Sequence, residues 1–199
     1  MTDYETLDIY DARADDYAKL VSTDLKADKH LRHFLDLLPE NADVLDLGCG
    51  PGNSAAIMAR EGHNATATDA SAEMVKLARQ HAGITVRQEV FDDIIGTDIY
   101  DGIWANFSLL HADPDRLNDH IAALVTALRP GGVFHIGMKT GDGTRRDSIG
   151  RRYTYVTYDS LTDLLASAGL TPIQHWTGED KGLSGDIDPW LIMQARNHA

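Results

Sequence analysis

The sequence predicts a single α/β domain in which a mostly parallel sheet is covered by helices on both faces. Seven short apolar runs of strand length occur along residues 40–199, and amphipathic stretches of helical length separate most of them. The first run ends in a turn with three glycines, and no helical stretch separates the last two runs. Strands joined by helices pair in parallel, whereas strands without an intervening helix pair in antiparallel fashion. We therefore expect a doubly wound sheet of seven strands with an antiparallel last strand.

Two predicted helices make up the N-terminal segment, residues 1–39. The first, over 9–21, has an apolar face that recurs every three or four positions, at Tyr10, Ala14, Tyr17 and Val21. The second has an apolar face at Leu31, Phe34, Leu35 and Leu38, and Pro39 ends it. This segment and the core at 40–199 together are expected to form one domain, because 199 residues are too few for two domains of ordinary size.

The predicted elements of the core follow one another in a regular order. The strands are expected at 44–48, 65–69, 85–90, 100–106, 133–138, 172–177 and 190–195. Ser71 precedes a helix with Glu73 in its first turn, where the helix dipole favours an acid, and Gly169 ends the last helix as a left-handed cap. Pro130-Gly131-Gly132 ends the helix that carries Leu117, Ile121, Leu124, Val125 and Leu128. A polar loop is expected at 178–189.

The first strand and its turn carry the strongest functional signal. Three glycines at alternate positions, Gly48, Gly50 and Gly52, let the backbone turn tightly so that a ligand can approach main-chain atoms. A dinucleotide site would place its third glycine one position later, where this chain has Asn53. The carboxylate of Asp46 would also repel a nearby pyrophosphate, whereas it favours a ligand with an ammonium group.

A second acid completes the pattern at the end of the second strand. Asp69 lies 19 residues after Gly50, a position that suits a bidentate contact with two ribose hydroxyls. The motif Asp46-x-Gly48-x-Gly50-x-Gly52 followed by Asp69 resembles the class I S-adenosylmethionine-dependent methyltransferases. The resemblance covers nearly the whole chain and implies a Rossmann-like fold, with S-adenosyl-L-methionine as cofactor and S-adenosyl-L-homocysteine as product.

The resemblance also implies which residues hold the cofactor. They lie on the N-terminal cap and at the carboxyl ends of the first four strands: Tyr17, Asp46, Gly48, Cys49, Gly50, Gly52, Asp69, Ala70, Met74, Phe91, Asp92, Ala105 and Asn106. In the family a tyrosine near Tyr17 often closes over the methionine end, although Tyr10 and Tyr17 could equally be a packing face. An acid after the third strand would read the adenine amino group, and both Asp92 and Asp93 are candidates.

The region after the fourth strand is informative about the acceptor. Enzymes that methylate nucleobase amines often carry a Pro-Pro pair here, but this chain has Asn106-Phe107-Ser108-Leu109. Its one cysteine, Cys49, lies inside the glycine turn and is expected to pack there rather than to act as a nucleophile. His111 is the candidate general base for an oxygen or amine acceptor, with a purely hydrogen-bonded histidine as the alternative.

A basic segment, residues 139–152, lies in an otherwise acidic chain. It holds five Lys or Arg against two Asp, a local charge of +3, whereas the whole chain has a formal charge of −13. Its glycines fit a solvated loop. Gly150-Arg151-Arg152-Tyr153-Thr154-Tyr155 nevertheless resembles a family segment that lines the acceptor pocket, so Arg151 or Arg152 is expected to bind an anionic group. The expected acceptor residues are Ser108, His111, Arg151, Arg152, Tyr153, Tyr155 and Trp190.

These observations favour a methyltransferase for a small-molecule acceptor, similar to the tellurite-resistance and thiopurine-like group. A tRNA or other nucleic-acid base methyltransferase is one alternative, which the acidic composition disfavours. A cofactor-binding protein without turnover is another. We expect no metal site, no nucleic-acid partner and no membrane contact. Because no signal peptide or long apolar run is evident and one cysteine allows no intrachain disulfide, a cytoplasmic protein is expected.

Overall fold

The computed structural model describes residues 2–21 and 28–198. The helices in these residues are α1 (Tyr4–Ala12), α2 (Ala14–Leu20), α3 (Lys29–Asp36), α4 (Asn53–Arg60), α5 (Ala72–Ala78), α6 (Leu117–Ala127) and α7 (Tyr158–Ser167). The strands are β1 (Asp43–Leu47), β2 (Asn64–Asp69), β3 (Thr85–Gln88), β4 (Tyr100–Asn106), β5 (Leu128–Lys139), β6 (Thr144–Arg146), β7 (Arg152–Thr154), β8 (Leu170–Lys181) and β9 (Ile187–Asn197).

Seven of these strands form one sheet in the order β3-β2-β1-β4-β5-β9-β8. The neighbours from β3 to β5 pair in parallel, and β9 runs antiparallel to both β5 and β8. The predicted doubly wound, Rossmann-like fold with an antiparallel last strand is therefore confirmed. The chain order reverses between β1 and β4, and ligands of such sheets bind beyond the carboxyl ends of the strands at this point.

Apolar side chains on both faces of β1 hold the sheet between its helical layers. Leu45 and Leu47 belong to a core with α6 and α7, whereas Val44 packs with Phe34 of α3 and Trp104 on the other face. The apolar residues of β1 are at most 2% exposed. A strand buried on both faces requires this nearly continuous apolar sequence, and Asp46 is the exception in it. Its position is therefore a functional signal.

The N-terminal segment differs from the prediction of one helix over 9–21. It forms two helices, α1 and α2, which meet at Arg13, whose φ of −121° is not helical. Contacts with distant residues fix α1: Asp3 pairs with Arg146 at 2.9 Å, and Thr6 Oγ1 accepts a hydrogen bond from the Arg152 amide at 2.9 Å. Part of the predicted cap, 22–27, lies outside the described residues. The second predicted helix corresponds to α3.

Three boundaries in the C-terminal half also differ from prediction. Leu128, predicted at the end of a helix, begins β5 and pairs with Tyr100. Most of the predicted loop 178–189 instead extends the β8–β9 pair, which leaves 182–186 between the two strands. The basic segment contains strand β6, which pairs with β7. None of the helices in the described residues has the length and apolar composition that a membrane span requires.

Candidate functional site

The glycine turn after β1 brings main chain, rather than side chains, to the edge of the sheet. Gly48 has a φ of +67° and lies so close to Ser108 that a Cβ on it would be 2.3 Å from the Ser108 Cβ. Gly52 has a φ of +84° and precedes α4 as its N-cap, where a Cβ would be 2.8 Å from the Ala78 Cβ. Both positions require glycine for conformation and for space. Gly52 shapes the turn through its close contact with Ala78 of α5.

Asp46 and Asp69 occupy the carboxyl halves of the neighbouring strands β1 and β2. Asp46 is 3% exposed, and its carboxylate accepts a hydrogen bond from the Ala55 amide of α4 at 3.1 Å. Asp69 accepts from the amides of Gly50 at 2.8 Å and Ser71 at 2.9 Å. Burial raises the pKa of Asp46 to about 7 and the pKa of Asp69 to about 6. Asp46 is buried and Asp69 is partly buried, and neither carboxylate has a cationic partner among the described residues, which favours binding of a ligand that supplies positive charge or hydroxyl donors.

One cavity, here called the Asp69 cavity, lies beyond the ends of β2 and β3. Eight of the residues predicted to hold the cofactor line it: Tyr17, Gly48, Gly50, Asp69, Ala70, Met74, Phe91 and Asp92. Thr68 and Ser108 also line this cavity, and neither hydroxyl has a hydrogen-bond partner among the described residues although both residues are at most 6% exposed. Buried hydroxyls normally form hydrogen bonds, so this pair indicates a site that a polar ligand completes.

The two acids after β3 have different roles in the structure. Asp93 folds back on its own turn, where its carboxylate accepts from the Val90 amide at 2.9 Å. Asp92 lines the Asp69 cavity and pairs with Arg116 at 2.9 Å. The Phe91 ring lies beside it and contacts His120, with ring centroids 5.6 Å apart. Of the two candidates, Asp92 is the one that lines the Asp69 cavity.

A second and wider cavity, here called the Lys139 cavity, lies beyond β4, β5 and the β8–β9 turn. Its predicted lining residues are Tyr17, Asp46, Gly48, Cys49, Gly50, Asn106, His111, Arg151, Tyr153 and Trp190. Tyr10, Tyr17, Phe107 and His111 line both cavities, together with the glycine turn. The two cavities therefore meet at a partition of aromatic side chains. Burial raises the pKa of the Cys49 thiol well above its usual value, which keeps it protonated.

His111 uses both of its ring nitrogens. Nδ1 lies 2.7 Å from the Arg152 carbonyl oxygen, and Nε2 lies 2.9 Å from the Tyr10 hydroxyl. Because a carbonyl only accepts, Nδ1 carries the proton and Nε2 accepts from Tyr10. Burial, with the charges of Arg151 and Lys139, lowers the pKa of His111 to about 3. The imidazole therefore stays neutral, and its one available lone pair, on Nε2, accepts a hydrogen bond from the Tyr10 hydroxyl.

Arg151 lines the Lys139 cavity but is almost completely buried, and neighbouring side chains occupy its hydrogen-bonding groups. Its guanidinium donates twice to Asp147, at 3.0 and 2.8 Å, and donates to the Tyr10 hydroxyl at 2.9 Å. The side chain is 3% exposed. A buried guanidinium with a carboxylate partner is fixed in place, so Arg151 organises the wall through Tyr10.

Four predicted residues line neither cavity. Gly52 contacts α5, and Ala105 lies in the hydrophobic core with no exposed surface. Arg152 lies 3.8 Å from both Asp3 and Asp113, and Tyr155 is buried with Arg145 over its ring. Lys139 and Lys181 also line the Lys139 cavity, and Lys139 pairs with Asp188 and lies 3.7 Å from the centre of the Tyr153 ring.

Sequence reasoning missed three residues that the structure brings to the site: Tyr10 as a site residue, Lys139 and Phe107. Phe107 has a φ of +56°, which is unusual for a residue with a side chain and occurs where both cavities meet. The sequence identified Tyr10 only as a packing position on a helix face, because its partner Arg151 is 141 residues away. Within residues 2–21 and 28–198, no group of three or more His, Cys, Asp or Glu side chains is arranged to hold a metal ion.

Comparison with known proteins places this site in context. A family model described as a methyltransferase domain matches residues 44–132. The malonyl-acyl-carrier-protein O-methyltransferase of Enterobacter lignolyticus is 36% identical over 102 residues, covering 47% of this chain and 37% of that protein. The trans-aconitate 2-methyltransferase of Rhodopseudomonas palustris is 37% identical over 101 residues, covering 48% of this chain and 38% of that protein. The match thus spans less than half the length of each of these two relatives.

A solved structure matches over a larger share of the chain. It is the 1,6-didemethyltoxoflavin-N1-methyltransferase of Burkholderia thailandensis with bound 1,6-didemethyltoxoflavin and S-adenosylhomocysteine. The two chains superpose with a TM-score of 0.76 and are 25% identical, and the match covers 98% of this chain and 88% of the other. The similarity therefore includes the N-terminal helices as well as the sheet.

Proposed function

We propose that the chain is a class I S-adenosylmethionine-dependent methyltransferase that transfers a methyl group from S-adenosyl-L-methionine to a small-molecule acceptor. The observation that carries this proposal is the pair of carboxylates on neighbouring strands, the buried Asp46 and the partly buried Asp69, on either side of the glycine turn. A ligand with an ammonium group at one end and ribose hydroxyls at the other satisfies both acids.

The Asp69 cavity fits the nucleoside part of the cofactor. Asp69 would accept from ribose hydroxyls, and Phe91 and Asp92 would contact the base. The hydroxyls of Thr68 and Ser108, which lack a hydrogen-bond partner among the described residues, add two hydrogen-bonding groups at the same cavity. Asp46 and the Gly48–Gly50 main chain lead from there into the Lys139 cavity, where the amino-acid end belongs. When bound, the sulfonium group supplies an electrophilic methyl carbon.

The acceptor occupies the rest of the Lys139 cavity in this proposal. The reaction is an in-line displacement: a lone pair of the acceptor forms the new bond to the methyl carbon while the electrons of the sulfur–methyl bond return to sulfur. Holding the two reactants together can contribute about 7–11 kcal/mol to such a step. Tyr10, Tyr17 and Phe107, which line both cavities, would hold the reactants together at the aromatic partition.

We propose further that the acceptor binds with its nucleophilic atom already deprotonated. His111, the candidate base, is kept neutral and has its lone pair on the Tyr10 hydroxyl, so a proton could reach it only through Tyr10. Two lysines, Lys139 and Lys181, line the Lys139 cavity, and their positive charges favour an anionic acceptor. Two relatives are named for malonyl-acyl-carrier protein and trans-aconitate, which supports an anionic acceptor here.

The experiment is a search for the methylated product. The protein would be incubated with methyl-labelled S-adenosylmethionine and, separately, with the small-molecule fraction and the tRNA fraction of a cell extract, with the Asp46→Asn variant as control. We expect mass spectrometry to find a labelled methyl group in a small molecule with the wild type and not with the variant. Label in tRNA alone, or binding of the cofactor with no product in either fraction, would contradict the proposal.

A further inference from the structure

Asn106 lies at the carboxyl end of β4 and lines the Lys139 cavity. We propose that its amide nitrogen donates a hydrogen bond to an oxygen atom of the acceptor, and that buried side chains behind it fix this orientation. The proposal rests on the proposed function, because it takes the Lys139 cavity as the acceptor site. The chain of contacts begins far from the cavity, at the carbonyl of His30.

The orientation of Gln194 follows from that carbonyl. Gln194, on β9, has no exposed surface, and its Nε2 lies 2.8 Å from the His30 carbonyl oxygen. A backbone carbonyl can only accept, so the amide nitrogen of Gln194 must be on that side. The Oε1 atom then accepts from Nδ1 of His33, at 2.5 Å. The His30 carbonyl therefore fixes the orientation of the amide, and the contact with His33 is compatible with it.

Gln194 in turn fixes the tautomer of His135. Its Nε2 also lies 3.1 Å from Nδ1 of His135, which must accept and therefore carries no proton. The His135 side chain is completely buried, and burial lowers its pKa well below the usual value, so the ring is neutral. A neutral ring with an unprotonated Nδ1 carries its proton on Nε2. The indole of Trp104 stacks on the imidazole, with centroids 3.5 Å apart, and fixes its plane.

The His135 proton determines which way Asn106 faces. Nε2 of His135 lies 3.0 Å from Oδ1 of Asn106, so the amide oxygen accepts this proton and the amide nitrogen is left for the cavity. Gly137 provides the room, because a Cβ at this position would lie 2.8 Å from the same oxygen. Among the described residues, the side-chain hydrogen bond of Asn106 is this one through its oxygen.

The chemical consequence is selection at the acceptor. A fixed N–H donor matches a carbonyl or carboxylate oxygen beside the atom that is methylated, and it disfavours an acceptor that presents only donors or a positive charge. Such a ligand would leave the Asn106 N–H without a hydrogen-bond partner, and this would weaken its binding. Asn106 is thus a specificity residue, and His135, Gln194 and His33 are positioning residues.

The first measurement is the imidazole ¹⁵N NMR spectrum of the whole protein saturated with S-adenosylhomocysteine. We expect the spectrum of His135 to show the Nε2–H tautomer in the wild type. Gln194→Glu replaces the donor with an acceptor at a site remote from the cavity, and we expect it to convert His135 to the Nδ1–H tautomer. Gln194→Met serves as the control of similar size. An Nδ1–H tautomer in the wild type would overturn the proposal.

The second measurement uses malonate as a probe for the acceptor oxygen. With S-adenosylhomocysteine present, we expect malonate to shift the Asn106 side-chain amide resonance saturably, and Gln194→Glu to weaken malonate binding about tenfold. An unshifted amide, or equal malonate affinity in the two proteins, would overturn the inference. Failure of the wild type to bind S-adenosylhomocysteine would instead contradict the proposed function, so the two failures are distinguishable.

Discussion

The hydroxyl of Tyr10 lies between Nε2 of His111 and Nη1 of Arg151, 2.9 Å from each. It donates to the histidine and accepts from the arginine, so one phenol joins helix α1 to two distant parts of the chain. Asp147 and the Arg152 carbonyl complete the hydrogen bonds of the outer partners. The aromatic partition between the two cavities is therefore held by a hydrogen-bonded chain whose order depends on a neutral His111.

Replacing Tyr10 by phenylalanine tests this chain. Tyr10→Phe leaves His111 Nε2 and Arg151 Nη1 each without a partner in a buried site, which we expect to destabilise the protein by about 1–3 kcal/mol. Tyr4→Phe is the control on the same helix, because Tyr4 is 68% exposed, and it should change stability by less than about 0.5 kcal/mol. Urea denaturation measures both, and equal stability of the two variants would refute the role of the hydroxyl.

Binding of S-adenosylhomocysteine should depend on pH through Asp46. The folded pKa of about 7 lies above the usual value, so near pH 6 the acid is mostly protonated and cannot pair with the ligand ammonium. We expect affinity to rise as the pH increases from about 6 to 8, by at most about tenfold per pH unit below the pKa. Calorimetry across this range measures the effect.

The Asp46→Asn variant serves as the control for the pH series. It should bind weakly, with a flatter pH profile, because Asp69 is then the remaining acid. A profile in which affinity falls with rising pH would contradict the assignment. The raised pKa also has a consequence for the ligand-free protein: Asp46 binds a proton more tightly when folded, so its contribution to stability falls as the pH rises from about 4 to 7. Asp46→Asn should therefore melt higher than the wild type at pH 8.

The need for glycine in the turn can be tested with two alanine substitutions, each at a position with positive φ. Gly48 and Gly62 both have positive φ, +67° and +97°, so alanine is strained at each, by about 1–2 kcal/mol. A Cβ at Gly48 would also collide with Ser108, whereas at Gly62 it meets nothing within 4 Å. We expect Gly48→Ala to abolish S-adenosylhomocysteine binding and Gly62→Ala to retain it. Comparable binding by both variants would show that close approach at Gly48 is not required.

The buried ion pair of Arg151 and Asp147 is expected to be structural. Arg151→Met leaves a buried carboxylate without its partner, which typically costs about 3–5 kcal/mol. Lys76→Met removes an exposed pair with Glu73, where the lysine side chain is 72% exposed, and should cost less than about 0.5 kcal/mol. In the double variant Arg151→Met, Asp147→Leu we expect much of the stability to return. No recovery in thermal melting of the double variant would argue against the unpaired charge as the cause.

The sequence was sufficient to predict the parts of the site that β1, its turn and the next strand supply. Asp46, the three glycines and Asp69 are close in sequence, and parallel β1 and β2 place their ends side by side. An acid in an otherwise apolar buried strand is visible without any structure. The same local logic identified Ser71, which caps α5 by accepting from the Met74 amide at 3.1 Å.

Contacts between distant segments were not accessible in this way. The basic segment looked like a solvated loop because β6 is exposed and rich in charge, and only its pairing with β7 makes it a strand. Arg151 was expected to bind an anion, but Asp147 four residues earlier already neutralises it. The Asn106–His135–Gln194–His33 chain joins four elements of the fold, and no spacing in the sequence relates them.

The most direct test of the account is calorimetry of the wild-type protein at pH 8 with S-adenosylhomocysteine and, separately, with a nicotinamide dinucleotide. Because Asp46 is ionised at this pH and lies beside the glycine turn, we expect saturable one-to-one binding of S-adenosylhomocysteine and no binding of the dinucleotide. Firm binding of the dinucleotide together with no binding of S-adenosylhomocysteine would contradict the central claim.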